Sequence, residues 1–297
     1  MNKNTVIGIS ALLGAALIWG MAFSAQKTGM KYLTPELFTC LRSFIGTAVL
    51  FPLIVVIGRI QKTRMIPSGH TERKNLVLGG ICCGVVLSFA STTQQYGLIY
   101  SSAGKAGFIT SLYIIFVPLA GIFFRQKVYI LHWIAVALAL AGSWLLCTPD
   151  SSSINIGDIW LFACALLFSC HILVIGYFAP KADCIKMSCI QFMTAGILTG
   201  LAALLKHDSC SAELIRDCLT ALLYCGICSS GIAFTLQIIS QKYIAGPAAS
   251  ILMSMESVFA VGGGYIFLGE KLTIRELAGC SVIMAAVIIA QLKFRGK

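Results

Sequence analysis

A chain of 297 residues that is 58% hydrophobic and only 11% charged, with mean hydropathy +0.89, has too little polar surface for a water-soluble protein. Soluble domains run at roughly 45–50% apolar and about 25% charged residues, so the composition points to a chain solvated mainly by lipid. The net charge of +11 sits in short breaks between apolar runs, with no long basic stretch interleaved with aromatics; it argues against a nucleic-acid partner and reads as a marker of membrane orientation.

In chain order the apolar runs are 6–26, 35–58, 76–96, 103–124, 130–147, 157–178, 188–205, 219–239, 247–268 and 274–292. About 20 apolar residues cross ~30 Å of hydrocarbon as a helix, so the sequence predicts an all-α membrane protein with ten transmembrane helices. Continuous runs, without alternation, exclude a barrel. The first run follows a Lys-bearing start as a signal peptide would, but it outlasts an h-region of about 7–15 residues and is expected to remain as the first span. Most of the thirteen cysteines fall inside the runs, where Cys behaves as a small hydrophobe. Cys225 and Cys228 have CxxC spacing but lie mid-run with no βαβ pattern around them, so helix packing is expected, with no metal and no cofactor.

The break at 59–75 holds five Lys/Arg, whereas 148–156 holds none and divides the chain almost in half. This predicts two five-helix units, residues 1–148 and 157–292. With the N-terminus inside, the inner segments carry fourteen Lys/Arg and the outer ones six. That excess places both termini in the cytoplasm, in a multi-pass protein of the inner (plasma) membrane. Five is odd, so similar halves must be inverted. Residues 103–146 can be laid on 247–290 without a gap, matching Phe123 with Phe267, Lys127 with Lys271, Ile130 with Ile274 and Ala141 with Ala285. Inverted repeats place a solute site near the midplane in secondary transporters. The expected arrangement is two back-to-back bundles rocking about a polar pocket.

Several stretches then resemble the EamA-type permeases of the drug/metabolite transporter (DMT) superfamily. They are LIWGMAFSAQK at 17–27, Pro35 followed by Arg42, GFITSLYIIFVPL at 107–119, GDIWLFACALLFSCHI at 157–172 and AASILMSMESVFAVGGGYIFLGEKLT at 248–273. The resemblance spans essentially the whole chain and implies two inverted five-helix repeats. It further implies export or exchange of small metabolites, often amino acids or drug-like compounds. Glu256-Ser257 stands where the family usually reads Glu-Pro, which removes that reason to expect a kink in the ninth span. Arg125-Gln126 replaces the usual Gly-Glu in a cytoplasmic turn.

Ionisable residues in a span are costly, about 2.5–3.5 kcal/mol each on insertion scales, and therefore mark function or pairing. Glu256, about nine residues into the ninth span, reads as a proton- or cation-linked group, or as a neutral acid bonded for packing. Arg42 reads as an anion site, a partner for an acid, or a snorkelling side chain; for Lys105, near the start of its span, snorkelling is expected. His171 is a candidate titrating group or a packing residue. Trp19, mid-span, is a candidate aromatic wall. Gln94, Gln95, Gln191, Gln237 and Gln241 are amides that line a polar route or join helices. With Tyr113 they suit a neutral or zwitterionic solute. The expected solute-binding set is therefore Trp19, Arg42, Gln94, Tyr113, His171, Gln191, Gln237 and Glu256. Pro118 is expected to hinge the fourth span, and Gly262-Gly263-Gly264 to allow close approach in the ninth.

The rival reading is an intramembrane serine enzyme built on Gly8-Ile9-Ser10 and a histidine. No recognisable dyad pattern, HExxH, paired catalytic Asp or Walker motif supports it. No enzyme, no catalytic residue and no built-in ATP drive are expected. The expected partners are a small-molecule solute and the lipid bilayer, with a homodimer left open.

Overall fold

Among the described residues every regular element is helical. The computed structural model describes residues 3–61, 67, 69–123, 128–146, 155–208, 210–268 and 273–292. The turns holding Arg125, Gln126, Lys127 and Lys271, and the C-terminal Lys293, Arg295 and Lys297, lie outside them.

The helices are α1 (Lys3–Gly29), α2 (Pro35–Gln61), α3 (His70–Tyr100), α4 (Ala103–Thr110), α5 (Tyr113–Phe123), α6 (Ile130–Leu146), α7 (Ile156–Phe178), α8 (Cys184–Leu205), α9 (Ala212–Asp217), α10 (Leu219–Leu223), α11 (Thr235–Gln241), α12 (Gly246–Met253), α13 (Met255–Leu268) and α14 (Ile274–Leu292), with a π-helical segment, Tyr224–Phe234, between α10 and α11. Among the described residues seven stretches are helices long and apolar enough to cross a bilayer, Ile130–Leu146 and Gly246–Gly262 are shorter apolar helices, and α14 follows them. Large apolar side chains such as Phe51, Phe89, Phe123, Leu201 and Ile274 are exposed on the outside, as expected where the solvent is lipid and all backbone groups are satisfied within helices.

Three of the ten spans are irregular. The fourth is α4 plus α5, the eighth contains the π segment, and the ninth is α12 plus α13. The register that lays 103–146 on 247–290 puts Ser254 opposite Thr110, one residue before Ser111, so the two broken spans break at matching places. At both breaks the hydrogen bonds shorten to three-residue steps: Leu112 N–H donates to Ile109 O, and Ser254 N–H to Ile251 O. In both, a serine hydroxyl donates to the carbonyl three residues back: Ser111 to Phe108 at 2.7 Å and Ser254 to Ile251 at 2.6 Å. Such back-bonding competes with the helical ladder. The ninth span therefore breaks without the family's proline. Pro118 does not hinge the fourth: α5 runs through it, and the break lies earlier, at Ser111.

The back-to-back arrangement is not what forms. The closest packing partners are α3 with α7 and α8, α6 with α14, and α2 with α8, and each pair joins a helix of the first half to one of the second. The halves interleave. Small residues permit this. A Cβ on Gly142 would lie 2.8 Å from Gly279 O, and one on Gly20 would lie 2.5 Å from Glu256 O and 2.8 Å from Ala260 N. Gly262, expected to give a close approach, has nothing near its Cβ position; α13 instead receives Gly20 of α1.

Gly20→Ala should therefore destabilise the protein by about 1–3 kcal/mol, the usual cost of overpacking against atoms that cannot move aside. Gly107→Ala, whose Cβ would meet only the Phe23 ring at 3.9 Å, should be close to neutral. Thermal melts of the two variants in detergent test the difference.

Candidate functional site

The irregular spans converge on a pocket of about 530 Å³, open space at its mouth included. Six of the eight expected residues line it: Trp19, Arg42, Gln94, Tyr113, Gln237 and Glu256. Tyr113 and Glu256 each stand two residues after the serine that ends the preceding half-helix, and Tyr113 Oη donates to Glu256 Oε1 at 3.2 Å. The matched breaks thus aim one side chain from each half at the same point.

Arg42 is buried, 4% exposed, and does not snorkel. Its Nε donates to Ser230 Oγ, Nη1 to Gln26 Oε1 and Nη2 to Ser229 Oγ, each at 3.1 Å. Gln95 Nε2 also donates to Gln26 Oε1, so Gln95 supports the arginine's partner from behind. Ser229 and Ser230 are adjacent in the π segment, and both reach one guanidinium because they meet different nitrogens of it. Gly226 lets α2 close on that segment: its Cβ position lies 3.2 Å from Arg42 O and 2.5 Å from Ile45 Cγ2.

One wall is aromatic. Trp19 meets Phe234 edge-on with ring centroids 4.8 Å apart, and Phe168 stacks on Phe234 at 6.5 Å. His171 and Gln191, both fully buried, are not part of the lining. They lie behind this wall, with His171 Nε2 2.9 Å from Gln191 Oε1 and its ring 5.7 Å from Phe234. Gln241 is likewise a joint: its Nε2 donates to Ile172 O at 2.8 Å. Ser10 is exposed on α1 whereas His171 is buried against Gln191, so the two form no dyad.

Sequence reasoning missed Gln26, Phe168, Ser229 and Phe234 among the lining residues, and Ser230 beside them. The one available signal was Gln26, an amide inside the first span beside Lys27.

Away from the pocket, at the ends of α2, α4, α7 and α8 that the charge count assigns to the outer side, polar ties cross between the halves. Lys206 Nζ meets Glu36 Oε1 at 2.5 Å and donates to Tyr96 Oη at 2.6 Å, while Tyr96 Oη donates to Glu36 Oε1 at 2.6 Å. Lys105, expected to snorkel, instead pairs with Asp158 at 2.6 Å. Asp158 also accepts from Ser101 Oγ and closes the capping box of α7 with Asn155. Thr34 Oγ1 donates to Asp208 Oδ2 at 2.6 Å.

A chain whose described elements are all helical, with large apolar side chains on its outside and a pocket between its broken spans, is a multi-span membrane protein. The EamA-like transporter family model matches residues 6–148 and 155–291, and the chain belongs to that family, within the DMT superfamily. It is similar to an uncharacterized transporter of Archaeoglobus fulgidus (29% identical, covering 94% of this chain and 83% of that one). It is also similar to the uncharacterized transporter YoaV of Bacillus subtilis (25%; 95% and 96%) and to a WAT1-related chloroplastic protein of Arabidopsis thaliana (22%; 97% and 70%). A crystal structure of a protein 19% identical in sequence superposes with a TM-score of 0.77 over 99% of this chain and 98% of that one, which shows the shared fold.

The Glu36 carboxylate beside it, then the Tyr96 hydroxyl, raises the pKa of Lys206 above the ordinary lysine value. A raised lysine stabilises the fold through neutral pH, and the contribution is lost only as pH rises through strongly alkaline values. Lys206 is half exposed, so the effect is modest. Lys206→Met should cost about 1 kcal/mol by leaving the buried Glu36 short of a charged donor. Adding Glu36→Gln to Lys206→Met should recover part of that loss in a melt at pH 7.

Proposed function

We propose that this transporter is a secondary carrier that moves a small metabolite through the central pocket. The pocket opens alternately to the two sides of the inner (plasma) membrane, with both termini cytoplasmic. Export or exchange of amino acids or drug-like compounds fits a pocket of this size that joins an aromatic wall to a few polar groups. The observation that carries the reading is the Tyr113–Glu256 contact at 3.2 Å, made where two broken spans from opposite halves meet. Half-helices meeting at a solute site are the geometry of inverted-repeat transporters.

Because the halves interleave, access alternates by bending at the breaks near Ser111 and Ser254, which present fewer helical hydrogen bonds than an unbroken span. The ties at Glu36–Lys206 and Lys105–Asp158 hold the outer ends together, so opening to that side requires their separation. Glu256 is the coupling group: its carboxyl takes a proton on one side and releases it on the other, while Tyr113 keeps it oriented in the pocket. Catalysis has no part in this cycle.

Comparing metabolites inside and outside cells with and without the protein identifies the solute. In proteoliposomes carrying Glu256→Gln, flux of that solute should no longer respond to an imposed pH gradient, while solute–solute exchange persists. Flux that follows the gradient undiminished removes Glu256 from the coupling role.

A further inference from the structure

A guanidinium has five N–H donors. In Arg42 three of them go to neutral oxygens, those of Ser230, Gln26 and Ser229. That leaves one N–H on each terminal nitrogen with no acceptor among the described residues. No described carboxylate lies within ion-pairing distance of Arg42, and Glu256, the acid in the pocket wall, is held by Tyr113. Arg42 is the one cation among the described lining residues, and 96% of its surface is covered. Burying a charge in this way is costly unless an opposite charge joins it.

A second unused donor lies in the same wall. Trp19 Nε1 is buried and has no acceptor, while the Trp19 ring packs on Phe234. The pocket therefore offers two free N–H groups on one guanidinium, an indole N–H and an apolar face. Two N–H groups from the terminal nitrogens of an arginine match the two oxygens of a carboxylate. A single fixed cation suits a monoanion; a phosphate dianion would call for a second positive group.

We infer that the solute carried in this pocket bears a carboxylate that binds Arg42, with its apolar body lying along the Trp19–Phe168–Phe234 wall. Gln26, Ser229 and Ser230 are positioning residues: they occupy the other three donors and so fix which edge of the guanidinium faces the solute. The inference rests on the pocket being the transport site and names the chemistry of what that site takes.

The test uses the full-length protein in detergent, with phenylacetate against phenylacetamide and benzoate against benzamide as probes. Each pair keeps shape and loses charge. By thermal shift and calorimetry the acids should bind at least about tenfold more tightly than their amides, the scale of a charge-assisted bidentate pair. Arg42→Gln should abolish that preference. Arg42→Lys, which keeps the charge without the planar fork, should fold as the native protein does and retain a reduced preference. Amides that bind as tightly as the acids, acids with no advantage in either pair, or an Arg42→Gln protein that still prefers acids overturn the inference. Acid-selective binding without saturable flux of the acid would uphold the Arg42 site and remove the transport reading. Saturable flux of an amide with none of the acid would do the reverse.

Discussion

A charge or an unpaired polar group cannot be left facing hydrocarbon, and this constraint organises the molecule. In the described spans the ionisable and amide side chains turn inward and find one another: Arg42 with Gln26 and two serines, Glu256 with Tyr113, His171 with Gln191. The outward faces are left to Phe, Leu, Ile and Val. Polar groups gathered on the inside border the pocket between the broken spans.

Backbone irregularity lies along the same pocket. Broken helices are tolerated at membrane depth only where protein or a cavity receives the freed groups. Here the two breaks and the π segment all border the pocket, and each brings a polar side chain to it: Tyr113, Glu256 and Ser229. The matching of the breaks, one in each half, gives two similar elements facing each other across one site. Interleaving of the halves makes the ion pairs Glu36–Lys206 and Lys105–Asp158 links between halves.

Much of this was legible in the sequence. Ten apolar runs of bilayer length survive any uncertainty in their ends, and rare ionisable residues within them stand out because each is expensive; Arg42 and Glu256 were singled out that way, and Tyr113 with the glutamine amides. The interleaving was not legible, because helices that are apolar nearly all round carry no stripe that names their neighbour. Ser229 and Ser230 lie in a run of small residues, CGICSSG, where nothing in the pattern marks two adjacent hydroxyls as partners of one arginine. His171 and Gln191 looked like site residues because both are polar in a span, yet they share a hydrogen bond behind Phe168 and Phe234 and do not line the pocket. The break at Ser254 was hidden because a serine bonded back to its own helix has no proline's signature.

The central claim is that Gln94 and Gln237 face a hydrated pocket while large apolar residues on the outer surface, one of them on the helix that carries Gln94, face lipid. It is tested most directly by single cysteines placed in a variant whose native cysteines are replaced, in membranes open to reagent on both sides. A charged, water-soluble thiol reagent reacts with thiolates, which form only where water reaches. The account predicts labelling of Gln94→Cys and Gln237→Cys and no labelling of Phe89→Cys or Leu201→Cys, whose native side chains are 60% and 53% exposed on the outer surface. Labelling at Phe89 and Leu201 with protection at Gln94 and Gln237 would contradict it.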